Sequence, residues 1–136
     1  MKAILTLDDK NGMMFNNRRQ SRDSAVNQKI CNIVNQKTLF INPYSEKLFD
    51  GLDVCKNVSD DFLTLAEKDD FCFIENVDVP IEQCEEIFIF RWNRIYPADR
   101  FFNVDLVGNG FSLKSSEELV GSSHEKITLE IFEKGE

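Results

Sequence analysis

The side chains able to do chemistry are few and scattered. Cys31, Cys55, Cys72 and Cys84 form no Cys-x-x-Cys pair, and the single histidine, His124, stands far along the chain from all of them. Zinc sites usually draw their ligands in closely spaced pairs, so this spacing points to no metal site. The expectation is four reduced thiols, mostly buried, because a free cysteine packs as a small hydrophobe. A Cys/His nucleophile would need the two side chains to meet in space. His124 lies in Gly121-Ser122-Ser123-His124-Glu125, a polar stretch that reads as a turn, and no catalytic role is expected for it. Asp60, Asp61, Asp69 and Asp70 read as a solvated face and a helix end, without the spacing of a calcium loop. Arg91, Trp92 and Arg94 are residue types that stack on bases and contact phosphate, but their setting fits a half-buried strand with its aromatics in the core.

These residues ride on alternating strand and helix signals. Residues 2–8 are an apolar run without a helical start signal and read as a buried strand. Residues 8–17, rich in Asn, Asp and Gly, read as a loop. Ser21 is placed to cap a helix over 22–35 with Val26, Ile30, Ile33 and Val34 on one face. A second strand follows over 37–41, then a helical turn or two over 45–50 ended by Gly51, and a short strand over 53–58. Ser59 caps a second helix with Asp60 and Asp61 in its first turn, where the dipole favours anions, and Phe62, Leu63, Leu65 and Ala66 on its apolar face. Strand 71–75, a short helix from Pro80 and a long strand 86–96 come next. In the last of these, Ile87 and Ile89 point one way and Phe88, Phe90 and Trp92 the other, as in a central strand covered on both faces. Residues 111–119 and 126–133 read as two strands around the turn at 121–124.

The pattern implies an α/β fold: a mostly parallel, doubly wound sheet with flanking helices and a C-terminal antiparallel hairpin. Such sheets bind ligands beyond the carboxyl ends of their strands, at a topological switch point. Loops 8–20, 42–46 and 75–79 are therefore the ones to inspect.

Composition narrows the function. The chain has 136 residues, which suits a single domain over 1–136. Its 42% hydrophobic and 29% charged content excludes a disordered tail. Sixteen Lys and Arg against 24 Asp and Glu give a net charge of −8, without the basic field that nucleic acid requires. No apolar run approaches the roughly 20 residues of a membrane span. The opening MKAILTL is followed at once by Asp8, Asp9 and Lys10, too short for a signal-peptide core, so a cytoplasmic location is expected.

Several segments carry a resemblance. Ala3-Ile4-Leu5-Thr6-Leu7-Asp8-Asp9-Lys10-Asn11-Gly12-Met13 looks like an opening strand and mobile loop, and Lys37-Thr38-Leu39-Phe40-Ile41 like a second strand. Asp70-Phe71-Cys72-Phe73-Ile74 looks like the strand before a cofactor-phosphate turn, and Glu86-Ile87-Phe88-Ile89-Phe90 like the strand after it. Ala98-Asp99-Arg100-Phe101-Phe102 looks like an acidic-aromatic stretch, and Ile127-Thr128-Leu129-Glu130-Ile131-Phe132-Glu133 like a last strand. Together they resemble dihydrofolate reductase over nearly the whole chain.

The resemblance implies a cofactor site at Gly12, Asn42, Ser45, Glu75 and Asn76, and it implies that the site is degraded. The family sets two adjacent glycines after the strand that here ends at Ile74, because pyrophosphate needs close backbone there. Glu75 and Asn76 occupy those places, and a carboxylate repels phosphate. Asn42-Pro43 replaces the family's glycine after the second strand, and Pro43 removes an N–H donor. Met13-Met14 follow Gly12 where the family has Ile-Gly. On the substrate side, Asp23 is the nearest match to the acid that helps protonate the pterin, and Asn27 stands where the family has an aromatic residue. The interval from Phe49 to Asp53 is too short for the family's next strand, and none of Arg18, Arg19 or Arg22 is assigned the substrate-gripping role. The implied function is a catalytically inactive reductase-like protein that binds or regulates, through a protein partner or as a homo-oligomer, with no cofactor. The alternative is a shortened NADPH-dependent reductase.

Overall fold

A strand that is apolar on both faces must be covered on both, and this requirement organises the sheet. The structure, a computed structural model describing residues 1–135, runs β1 (Lys2–Leu7), β2 (Gly12–Phe15), β3 (Arg18–Arg19), α1 (Ser24–Val34), β4 (Thr38–Ile41), a 3-10 helix (Pro43–Phe49), β5 (Cys55–Val58), the one-turn α2 (Phe62–Leu65), β6 (Phe71–Phe73), a 3-10 turn (Ile81–Gln83), β7 (Glu86–Arg91), β8 (Arg100–Phe101), β9 (Phe111–Leu119) and β10 (Ile127–Lys134). Seven strands form the main sheet in the order β5-β4-β6-β1-β7-β10-β9. The first five are parallel, and β10 pairs antiparallel with both β7 and β9. The expected parallel sheet with its antiparallel C-terminal hairpin is present.

Period-two alternation divides the core. Ile4, Phe88, Phe90 and Trp92 face α1, where Val26, Ile30, Cys31 and Val34 are buried against them. Ala3, Leu5, Leu7, Ile87 and Ile89 face the other way, under Met13, Met14, Phe62, Cys84 and Phe102. That second face is covered by loops and short elements more than by helix, because α2 is one turn long.

Several boundaries differ from expectation, each for a local reason. Asp23, not Ser21, caps α1, its side chain accepting from the Ala25 N–H at 2.9 Å. Ser59 accepts from the Asp61 N–H at 3.1 Å and closes a local turn instead of starting a long helix, and Leu65 is left 48% exposed. β6 stops at Phe73, although the Ile74 N–H still bonds Ile4. β7 stops at Arg91; the Trp92 N–H bonds Leu7, and Asn93 then turns left-handed at φ 59. Residues 50–54 carry no strand, the chain reversing through Gly51 at φ +75, where a side chain would be strained.

The segment after β1, expected as a loop, instead holds a hairpin. β2 and β3 pair antiparallel across Asn16 and Asn17, both left-handed at φ 51 and 60. Two successive positive-φ residues make the turn that matches strand twist, and asparagine tolerates that region. β8 adds to β2 to complete a second, three-stranded sheet. No helix among the described residues is long and apolar enough to cross a membrane.

Candidate functional site

The three loops singled out from the sequence converge beyond the carboxyl ends of the parallel strands. Asn42, just after β4, uses its side-chain carbonyl to accept from the Ser45 N–H at 3.2 Å, capping the 3-10 helix. Its amide donates to Oδ1 of Asn76 at 2.6 Å, joining the loop after β4 to the loop after β6. Ser45 Oγ donates to Glu75 Oε2 at 3.2 Å. Asn42, Ser45, Glu75 and Asn76 are thus one connected cluster. Gly12 stands apart from it in its contacts: a Cβ there would lie 2.6 Å from Gln20 Nε2 and 2.8 Å from both Ala98 Cβ and Asp8 Oδ2. Gly12 is needed for close packing around Asp8.

Arg19 completes the cluster from the hairpin. Its Nε and Nη2 reach Glu75 Oε1 and Oε2 at 3.0 Å each, a bidentate pair on a carboxylate that is almost fully buried. The guanidinium lies over the Tyr44 ring at 4.6 Å, and the Arg19 N–H donates to the Tyr44 hydroxyl at 3.0 Å. Burial alone would lower the Arg19 pKa, but its hydrogen bond to Glu75 and that carboxylate's charge outweigh burial and raise it. Asp8, after β1, accepts from the N–H groups of Lys10, Gly12 and Tyr96 and from Gln20 Nε2. Burial pushes its pKa up, and those hydrogen bonds overcome that and hold it below the ordinary value.

A second cluster forms at the start of α1. Asp23 accepts from the N–H groups of Ser122 and Ser123 at 2.9 Å each, from the Ser122 hydroxyl at 2.9 Å, and from His124 Nδ1 at 2.9 Å. Burial opposes ionisation, but these donors, the Ser122 and Ser123 amides foremost, hold the carboxyl well below the usual carboxylate range. A carboxylate held in this way serves its neighbours as a hydrogen-bond acceptor only. The backbone at 121–125 is turn-like, as read, but the His124 side chain is not solvated. It is buried, stacked on Trp92 with centroids 4.6 Å apart, with Nε2 at 2.9 Å from Ser21 Oγ and 3.2 Å from the Tyr96 hydroxyl.

Between the clusters lies a cavity of about 520 Å³ lined by Phe15, Asn16, Arg18, Arg19, Gln20, Tyr96 and Pro97. Arg19 leads from it to the Glu75 cluster and Tyr96 to His124. Sequence reasoning missed Arg19, Ser21 and His124. The Asn16-Asn17 turn was the one local signal for the hairpin that carries Arg19. All four cysteines are free; Cys31, Cys72 and Cys84 are buried, and burial pushes the Cys72 thiol up to about 12 and the Cys84 thiol up to about 11. Among the described residues no three His, Cys, Asp or Glu side chains are grouped to hold a metal.

No family model matches the sequence. No curated protein matches it either. A solved dihydrofolate reductase from Enterococcus faecalis, complexed with NADP(H) and RAB-propyl, superposes with a TM-score of 0.68 at 10% identity, covering 99% of this chain and 96% of that one. At that identity the likeness speaks for the backbone, and the backbone is that of a dihydrofolate reductase-like fold.

Proposed function

We propose that this protein keeps the reductase fold without reductase chemistry and acts as a binding protein. The observation that carries the reading is the Arg19–Glu75 pair. The Enterococcus enzyme was solved with NADP(H). In this chain the turn after β6 presents a buried carboxylate already clasped by a guanidinium, and Pro43 withholds an amide at the start of the neighbouring 3-10 helix. A pyrophosphate would have to break a bidentate ion pair and then sit beside the freed carboxylate. These residues do not fit the cofactor.

The open cavity beside the pair is where a ligand fits, and its size is within the common range for small-molecule sites. Four unpaired thiols suit a reducing compartment, in keeping with a cytoplasmic location.

The test is calorimetric titration with NADPH beside a spectroscopic assay of dihydrofolate reduction. The expected result is no turnover and weak NADPH binding. If Glu75 alone costs on the order of 2 kcal/mol, affinity falls roughly thirtyfold. Micromolar binding with steady NADPH oxidation would replace this reading with that of a shortened reductase.

A further inference from the structure

We propose that Ser21, His124 and Asp23 form a nucleophilic relay for acyl transfer, and that the cavity beside it takes a carboxylic ester bearing an anionic group. The two demands of an activated serine are met on opposite sides of one imidazole. Nδ1 donates to the Asp23 carboxylate at 2.9 Å, and Nε2 faces Ser21 Oγ at 2.9 Å. Asp23 is an acceptor only, so it draws the ring proton to Nδ1 and leaves the Nε2 lone pair for a hydroxyl. The Asp23 side chain is fully buried and held by the Ala25, Ser122 and Ser123 N–H groups, and the indole of Trp92 fixes the ring plane. Orientation of this kind is what the third member of a triad supplies.

The link from cavity to relay runs through Tyr96, which lines the cavity and whose hydroxyl meets the His124 ring, while Ser21 follows the lining residue Gln20 in the chain. The Tyr96 hydroxyl, 3.2 Å from the same ring nitrogen, is placed to donate to an oxyanion once Ser21 has reacted. The ligand class follows from the walls. Two arginines line the cavity and no acid does, on a protein of net charge −8. Arg19 is engaged by Glu75; Arg18 is exposed and pairs with no carboxylate among the described residues. Phe15, 41% exposed, offers a flat apolar surface.

The chemistry balances without a cofactor. Ser21 Oγ attacks the carbonyl carbon as its proton passes to Nε2. The carbon–oxygen bond to the alcohol breaks, and the alcohol leaves with that proton. Water then attacks the acyl-serine, gives a proton to Nε2, and the acid departs as Nε2 returns the proton to Ser21. The proposal does not depend on how NADPH binds, so the two tests fail separately.

The experiment treats the full chain with a fluorophosphonate probe, maps the modified peptide, and follows hydrolysis of p-nitrophenyl acetate and p-nitrophenyl hemisuccinate. Expected are a label on Ser21 and hydrolysis that falls on the order of 100-fold in Ser21→Ala, with the melting temperature unchanged. Arg18→Ala should erase a preference for the hemisuccinate. Folded wild-type protein that takes no label on Ser21 overturns the proposal. So does hydrolysis that is at background or that survives in Ser21→Ala. If Ser21→Ala fails to fold, the mapped site of the wild-type label decides.

Discussion

Arg19 and Glu75 stand 56 positions apart in the chain and meet through two parallel hydrogen bonds of 3.0 Å. The pair fastens the β2–β3 hairpin to the loop after β6. Removing Arg19 leaves a carboxylate that is 4% exposed with Ser45 Oγ as its remaining side-chain partner.

Arg19→Ala is therefore expected to cost about 2–4 kcal/mol in urea unfolding followed at Trp92. Arg19→Ala with Glu75→Ala should cost less than the two single changes added together, by about 1–3 kcal/mol, because the double variant has no orphaned charge. An additive cycle would show that the pair does not couple. Glu75→Gly with Asn76→Gly should strengthen NADPH binding in calorimetry; unchanged binding would mean that this turn does not limit it.

Acid should weaken the fold through Asp23. Its carboxyl titrates near 3.8 in the unfolded chain and well below that when folded. The folded state therefore favours the ionised form. The stability this provides is complete above about pH 5 and drains away as pH falls through 4 towards the folded value, an effect on the order of 2 kcal/mol. Asp8, also held low, acts in the same direction. Unfolding free energies between pH 3 and 6 should drop steeply for the wild type and less steeply for Asp23→Asn. Equal slopes would remove Asp23 from the acid limb.

Thiol reactivity should single out Cys55. It is exposed, whereas Cys31, Cys72 and Cys84 are buried and their thiols are pushed up by burial. Ellman's reagent should react quickly with one thiol per native chain and with all four in denaturant. Cys55→Ser should abolish the fast phase. A second fast thiol in native protein would contradict the packing of Cys31 under the sheet or of Cys72 and Cys84 on its far side.

What was legible in the sequence was short-range. The apolar runs of β1 and β4, the alternation along β7 and the closing hairpin at Phe111–Leu119 and Ile127–Lys134 all follow from periodicity. Topology then pointed to loops 8–20, 42–46 and 75–79, which the structure brings together. What was hidden depends on partners distant in sequence. Ser21 and Asp23 are both good caps, and local rules do not choose between them; the loop at 122–124 decides, His124 engaging the Ser21 hydroxyl while Asp23 takes the helix amide. His124 looks solvated among Gly and Ser until Trp92 and Asp23 are brought against it. For Arg19 the Asn16-Asn17 turn marks only the hairpin that carries it, since its partner belongs to another strand's loop.

The bond between Asp23 and His124 spans 101 positions. During synthesis, then, the first helix emerges with its capping carboxylate stripped of the serine amides and imidazole that later hold it. Those groups are supplied only by the loop at 122–124, about a hundred positions later in the chain. β1, at the centre of the sheet, likewise waits for β6 and β7 before it has neighbours. Non-local closure of this kind slows folding and leaves half-made chains with exposed strand edges. Refolding from denaturant should therefore be slow, with the burial of His124 against Trp92 among its last events.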